Sequence, residues 1–159
     1  QPWKFVVVRQ KNAELAKLAY GGNYDQVMEA PVTIALFTDT DLQKRARKIA
    51  RVGGVKNFTD EQLQYFMQNL PAEFARYDAQ QTSDYLALNA GLVAMNLVLA
   101  LTDQGIGTNI ILGFDKSKIN EVLDIEERFR PEVLITVGYA AEKVEPSYRL
   151  PVDEIIDKR

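Results

Sequence analysis

Apolar residues along this chain recur with two periods, and the switching between them predicts an order of elements. Residues 5–8 (FVVV) are a short β-branched run, read as a buried strand. Residues 12–20 place Ala13, Leu15, Ala16, Leu18 and Ala19 at helical spacing, with Asn12 as a candidate N-cap. Gly21-Gly22-Asn23 ends that helix, and residues 24–30 form a short turn that stops at Pro31. Residues 32–38 (VTIALFT) are almost unbroken apolar, the pattern of a central strand covered on both faces. Residues 41–52 read as an exposed basic helix, and Gly53-Gly54 breaks the chain. Thr59 with Gln62 is the signature of a capped helix running to about Asn69, and residues 71–80 are loop or short helix.

The dominant helix spans residues 82–102 and closes at Gly105. Its stretch 90–101 is apolar nearly all round, which predicts burial on every side, in a core or a subunit interface. Residues 109–112 are a third strand. A helix ending at Leu123 follows, capped by Asp115 or Ser117, and residues 132–139 (EVLITVGY) are a fourth strand. The tail, 140–159, carries Pro146 and Pro151. Strands interleaved with helices predict an α/β or α+β domain with helices packed on a small sheet.

Composition narrows the chemistry. The 159 residues suit one domain, 47% are hydrophobic and 26% charged, and the net charge of −3 argues against a general nucleic-acid footprint. The run 90–101 is interrupted by Asn96 and is short of the roughly 20 residues of a membrane span, so no membrane partner is expected. There is no Cys and no His. That removes thiol nucleophiles, Ser–His dyads, disulfides and the usual zinc sites, so redox or hydrolytic chemistry has to come from carboxylates, Lys, Tyr or a bound cofactor. Zero cysteine is compatible with a cytoplasmic home. Gly105-x-Gly107 follows a helix and precedes a strand, the reverse of a phosphate loop, and reads as a helix C-cap.

Several segments, taken in order, resemble one family. Gln1-Pro2-Trp3-Lys4-Phe5-Val6-Val7 resembles the end of an Asn-x-Gln-Pro-Trp-x-Phe motif. Asn23, Gln26 and Glu29-Ala30-Pro31-Val32 resemble a flavin-contacting turn before a strand, and residues 89–97 resemble a central helix. Gly105-Ile106-Gly107-Thr108, Ile110-Ile111-Leu112-Gly113-Phe114, Gly138-Tyr139-Ala140 and Arg149-Leu150-Pro151 complete the set. In this order they resemble the nitroreductase family over nearly the whole chain. The resemblance implies an α+β fold, a small mainly antiparallel sheet wrapped by helices, in an intertwined homodimer with a long buried central helix. It implies FMN at the subunit interface, with NAD(P)H as co-substrate and a small-molecule electron acceptor, a nitroaromatic or quinone, reduced by a ping-pong scheme. The family's Arg-x-Ser-x-Arg stretch for the FMN phosphate has no match here, and the resemblance implies that it belongs to an N-terminal segment preceding Gln1. Specialised members such as a dehalogenase, or a binding module that has lost the flavin, are the alternatives.

The same resemblance assigns roles. Arg149 would pair with the FMN phosphate, against the alternative of a solvated tail arginine. Backbone N–H groups of Ile111, Leu112 and Gly113 would approach flavin N5, with Ile110 and Ile111 packed on the ring face. Asn23 and Gln26 would bond the pyrimidine edge, although Asn23 after two glycines also reads as a helix C-cap. Gln1 would reach the ribityl chain or pocket floor, and Trp3 would anchor the core. Asn89 is a further site candidate, and Asn96, seven residues on, fits a register-fixing hydrogen bond at a dimer seam. The basic run 44–48 with Arg51 reads as a solvated face or as a field that draws the NAD(P)H phosphates. Tyr65, Phe66, Phe74 and Tyr77 either form a lid or pack together. No catalytic side chain and no metal ligand is assigned.

Overall fold

The computed structural model describes residues 1–53, 58–142 and 147–159. Gly54 and Pro146, read above as part of a chain break and as a tail proline, lie outside the described residues. One antiparallel sheet of four strands, in the order β1-β2-β4-β3, organises the chain. The strands are β1 (Trp3–Val8), β2 (Val32–Asp39), β3 (Gly107–Ile111) and β4 (Phe129–Gly138). The helices are α1 (Asn12–Ala16), α2 (Asn23–Glu29), α3 (Leu42–Gly53), α4 (Asp60–Phe74), α5 (Ala79–Asp103) and α6 (Ile119–Leu123). The central placement expected for the apolar strand holds, because β2 lies between β1 and β4.

Side chains alternate across β2 and β4 and so feed two separate cores. Ala35, Phe37 and Leu134 join Leu15 and Ala16 of α1, Val27 of α2 and Ile119 of α6 on one face. Leu36 and Ile135, with Trp3, Ile34 and Val133 around them, pack against Ala90 and Ala94 of α5 on the other. The small side chains at these two positions, one turn apart, let the helix lie close to the sheet. A bulge between Leu36 and Phe37 leaves Glu132 as the extra residue of β4, since Leu36 pairs with Val133 and Phe37 with Pro131. Glu132 is buried and satisfied there by the Thr38 hydroxyl and the Arg130 guanidinium. Pro131 stands beside the bulge and beyond the end of β3, where a missing N–H costs the sheet least.

Helix α5 is covered on one side within a single copy. It is apolar round its circumference, and one chain buries the stripe of Leu86, Ala90 and Ala94. Leu88, Leu92, Met95 and Leu99 are 64, 65, 48 and 58% exposed. With 25 residues, α5 is also long and apolar enough, by length and composition, to cross a membrane, which the shorter run 90–101 had understated. Its docked stripe holds it against β2 instead.

Local signals explain most boundaries. The Thr59–Gln62 capping box opens α4 as expected, and a second, Asp78 with Gln81, starts α5 three residues earlier than the apolar pattern suggested. Pro71 does not stop α4, which runs on to Phe74. Gly105 ends α5 with φ +73°, its N–H bonding Thr102 and the N–H of Ile106 bonding Leu101, the paired bonds of a glycine-capped helix end. Three other expectations change. Residues 24–29 belong to helix α2 rather than a turn, with Ala30 as its extended C-cap, since Gly21 takes the positive φ and frees Asn23 to open the helix. Helix α1 is capped by Lys11 without a side-chain bond, while the Asn12 amide reaches the Ala30 carbonyl. Asp115 caps no helix: it folds a local turn, accepting from the Ser117 backbone and hydroxyl, and α6 begins after Lys118.

Candidate functional site

Two places gather the chemistry that the sequence singled out. The first is the corner where β3 ends and α2 begins. The Gly113 carbonyl accepts from the Tyr20 N–H at 2.9 Å and from the Asn23 side-chain amide at 3.3 Å. A Cβ at Gly113 would stand 3.0 Å from the Asn23 amide nitrogen, so any larger residue would have to push that amide aside. Beside it the Asn109 amide donates to the Gln26 carbonyl oxygen, tying α2 to the edge strand. Ile110 and Leu112 project outward from the same strand end, 40 and 66% exposed. Ile111 alternates inward and is fully buried in the core, so its side chain does not lie on a ring face and only its backbone borders the corner. Alternation sends Ile110 and Leu112 to the face opposite Asn109, so the exposed apolar pair and the amides flank one strand end from its two faces; on the amide side a cavity of about 530 Å³ extends from Gln26 and Asn109 past Pro31 to Gly138 and Tyr139. As an edge strand, β3 also presents a row of backbone groups with no strand partner.

The second place is the far edge of the sheet. Gln1 shares a cavity of about 360 Å³ with Arg45, Lys48, Ile49 and Val52 of α3. Behind it Asp39 is fully buried, held by Arg45 at 2.6 Å and by Arg128 at 2.9 Å. Arg128 also pairs with Glu126 and lies 4.4 Å above the Phe129 ring, on which Lys4 rests at the same distance. The carboxylates of Asp39 and Glu126 favour the charged form of Arg128 and raise its pKa, against a desolvation that acts in the opposite sense. The two charges on Asp39 make its burial tolerable and pin α3 to the end of β2.

The predicted site residues therefore divide. Asn23, Gln26, Ile110, Leu112, Gly113 and the Ile111 backbone come together. Gln1 lies across the sheet, three interstrand spacings of about 4.8 Å away, or roughly 14 Å along the hydrogen-bonding direction. Asn89 bonds the Tyr85 carbonyl of its own helix at 2.8 Å, and Asn96 lies on the open side of α5 among Leu92, Met95 and Leu99. The Arg149 guanidinium donates to the Tyr148 carbonyl in an exposed tail and, among the described residues, bonds nothing at the Gly113 corner. Phe74, Tyr77 and Tyr85 stack edge to face or tilted, with centroids 5.2–5.9 Å apart, joining the end of α4 to the start of α5. Tyr65 meets Phe66 edge-on, and Phe58 stacks on Phe66 at 4.9 Å.

Sequence reasoning missed Asn109 and Asp39. Asn109 carries a faint signal, a polar residue at the start of an apolar strand. Asp39 shows none, because its two cations come from six and 89 residues away.

Comparison with known proteins agrees with this geometry. The model of the nitroreductase family matches residues 1–139. A Streptococcus pyogenes protein named for NAD(P)H nitroreductase activity is 62% identical over 159 residues, all of this chain and 79% of that relative. The crystal structure of a nitroreductase family protein from Streptococcus pneumoniae superposes with a TM-score of 0.94 at 85% identity, covering 99% of this chain and 79% of that one. A protein from Exiguobacterium sibiricum, named for nitroreductase and solved in complex with FMN, superposes with a TM-score of 0.90 at 29% identity over 99% of this chain and 77% of its own. The corner, the sheet and these matches lead to one conclusion: the chain belongs to the nitroreductase family.

Proposed function

We propose that the chain is an FMN-dependent oxidoreductase that takes hydride from NAD(P)H and delivers it to small organic acceptors such as nitroaromatics or quinones, working as a pair of identical subunits in the cytoplasm. One observation carries this reading: the strand end at Gly113, which carries the exposed apolar side chains of Ile110 and Leu112 on one face and the amides of Asn23, Gln26 and Asn109 on the other. A flat heterocycle with alternating donors and acceptors along one edge suits such a surface, since a carboxamide offers both. The glycine at 113 leaves room for a ring edge against bare backbone. The FMN-bound relative supports the same ligand here.

In this reading Ile110 and Leu112 carry the ring and keep water from its face. The amides of Asn23 and Gln26 fix its orientation, and Asn109 fixes Gln26. Arg149 offers a planar guanidinium to the phosphate. When bound, FMN supplies the two-electron carrier chemistry that no side chain of this chain provides. The donor and the acceptor use one pocket in turn, a ping-pong order.

Two features support pairing of two copies. Gln1 is separated from the Gly113 corner within one copy, so a second copy is the natural source of a Gln1 for each corner. The exposed row Leu88, Leu92, Met95 and Leu99 is an apolar surface of the type that obligate interfaces cover.

The test is direct. The purified chain, supplied with FMN, should retain a stoichiometric flavin through gel filtration. Anaerobic NADH or NADPH should bleach the flavin band, and a nitroaromatic or quinone should restore it. A protein that takes up no flavin, or whose bound flavin is not bleached by either dinucleotide, overturns the reading.

A further inference from the structure

Helix α3 concentrates a charge that the rest of the chain opposes. The whole sequence carries −3, yet Leu42–Gly53 holds Lys44, Arg45, Arg47, Lys48 and Arg51 and no Asp or Glu. The helix buries Leu42, Ala46 and Ala50 and turns Lys44, Arg47, Lys48 and Arg51 outward, while Arg45 reaches in to Asp39. Like charges three and four residues apart repel, so the helix is destabilised by its own sequence. Among the described residues the one carboxylate ion-paired with a cation of α3 is Asp39, which takes Arg45 through Nε, while Asp41 accepts from the Lys44 backbone N–H.

That single pairing shapes a site. Arg45, Lys48, Ile49 and Val52 share one face, at spacings of three, four and seven residues, and line the cavity beside Gln1. Asp39 fixes the Arg45 guanidinium from behind and leaves its terminal nitrogens unclaimed by that bond. Lys48 adds a second, mobile cation, while Ile49 and Val52, 40 and 62% exposed, form an apolar wall. Two cations, an amide and an apolar wall suit a phosphate carried on a nucleoside. Simple solvation explains Lys44 and Arg47 but not a cavity in which one guanidinium is held in place.

We propose, on the basis of the function given above, that this cavity binds a phosphate group of the reducing dinucleotide, with Lys48 and Arg45 as its donors. If a second copy brings Gln1 to the Gly113 corner, it brings this cavity to the mouth of the same pocket. Electrons then enter beside α3, and the field of the helix draws the polyanionic donor in preference to uncharged acceptors.

The test compares Lys48→Ala with Arg47→Ala, which removes the same charge from the same helix outside the cavity. Calorimetric titration uses adenosine 2′,5′-bisphosphate and ADP as probes, and steady-state assays give KM and kcat for NADPH and NADH. Lys48→Ala should weaken probe binding and raise the dinucleotide KM about tenfold, the loss expected for one charge-assisted bond, with kcat unchanged. An effect on the 2′-phosphate probe and NADPH alone identifies the extra phosphate as the ligand; an equal effect on all identifies the adenosine 5′-phosphate that they share. Arg47→Ala should change neither by more than about twofold. Equal losses in both variants, or no loss in Lys48→Ala, overturn the proposal. Probe binding that depends on Lys48 in a protein that turns over no dinucleotide would keep this site and remove the oxidoreductase reading instead.

Discussion

The two faces of the sheet are finished to different degrees. On one, α1, α2 and α6 close over Phe37, Leu134 and Ile111, and the core is buried within one chain. On the other, α5 covers Leu36 and Ile135 with a narrow stripe and leaves its own outer row of leucines in water. The first face is a core in the ordinary sense. The second is covered on its inner side alone, and the difference shows which part of the fold a single copy closes and which it leaves exposed.

Substitutions can break or sharpen that contrast. The largest effect belongs to the closed face: Phe37→Ala should cost about 3–5 kcal/mol, measured by denaturant unfolding, and the loss should be the same at any protein concentration. Next, Leu92→Asp on the open face should leave the subunit folded by circular dichroism but abolish pairing in sedimentation, and with it the concentration dependence of Tm. If Leu92→Asp unfolds the subunit as Phe37→Ala does, the two faces are not distinct in kind. Gly113→Val, at the corner joined to the closed face, should lower flavin affinity more than tenfold with little loss of secondary structure, since a Cβ there meets the Asn23 amide.

The smallest effect is a matter of pH. The Ser117 hydroxyl and backbone N–H hold the Asp115 carboxyl below its ordinary pKa. A lowered pKa in the folded state adds stability that is present above the ordinary carboxylate value and is lost as pH falls through the lowered one. Asp115→Asn should therefore lower Tm slightly at neutral pH and not at all in strong acid. Asp115 is open to solvent, so a large shift at pH 7 would contradict this account.

Much of the fold was legible because period and caps are local properties. The four strands and the long helices appear as alternation, apolar runs and helical spacing, and Thr59 with Gln62 marks the start of α4 without further context. Helix α2 was not legible: its seven residues, opening after Gly22, look like a turn until Gly21 is seen to absorb the reversal. The covering of α5 was only half legible, since an all-round apolar pattern states that the helix is covered and not by what. For the site, the resemblance brought Asn23, Gln26 and Gly113 forward, and folding joins them across 90 residues of sequence. Asn109 and Asp39 escaped because their partners are set by topology, which no window of sequence contains. Ile111 failed as a ring contact for the simplest reason: strand alternation points it into the core.

Trp3, the one tryptophan of the chain, stands half-buried at the margin of the cluster beneath α5. Intrinsic emission is thereby placed on the unfinished side of the molecule. Detachment of α5 should shift the indole band to the red before the opposite core melts, and an isoalloxazine seated nearby should quench it by energy transfer. The protein carries its own optical gauge of the one surface that a single copy leaves open.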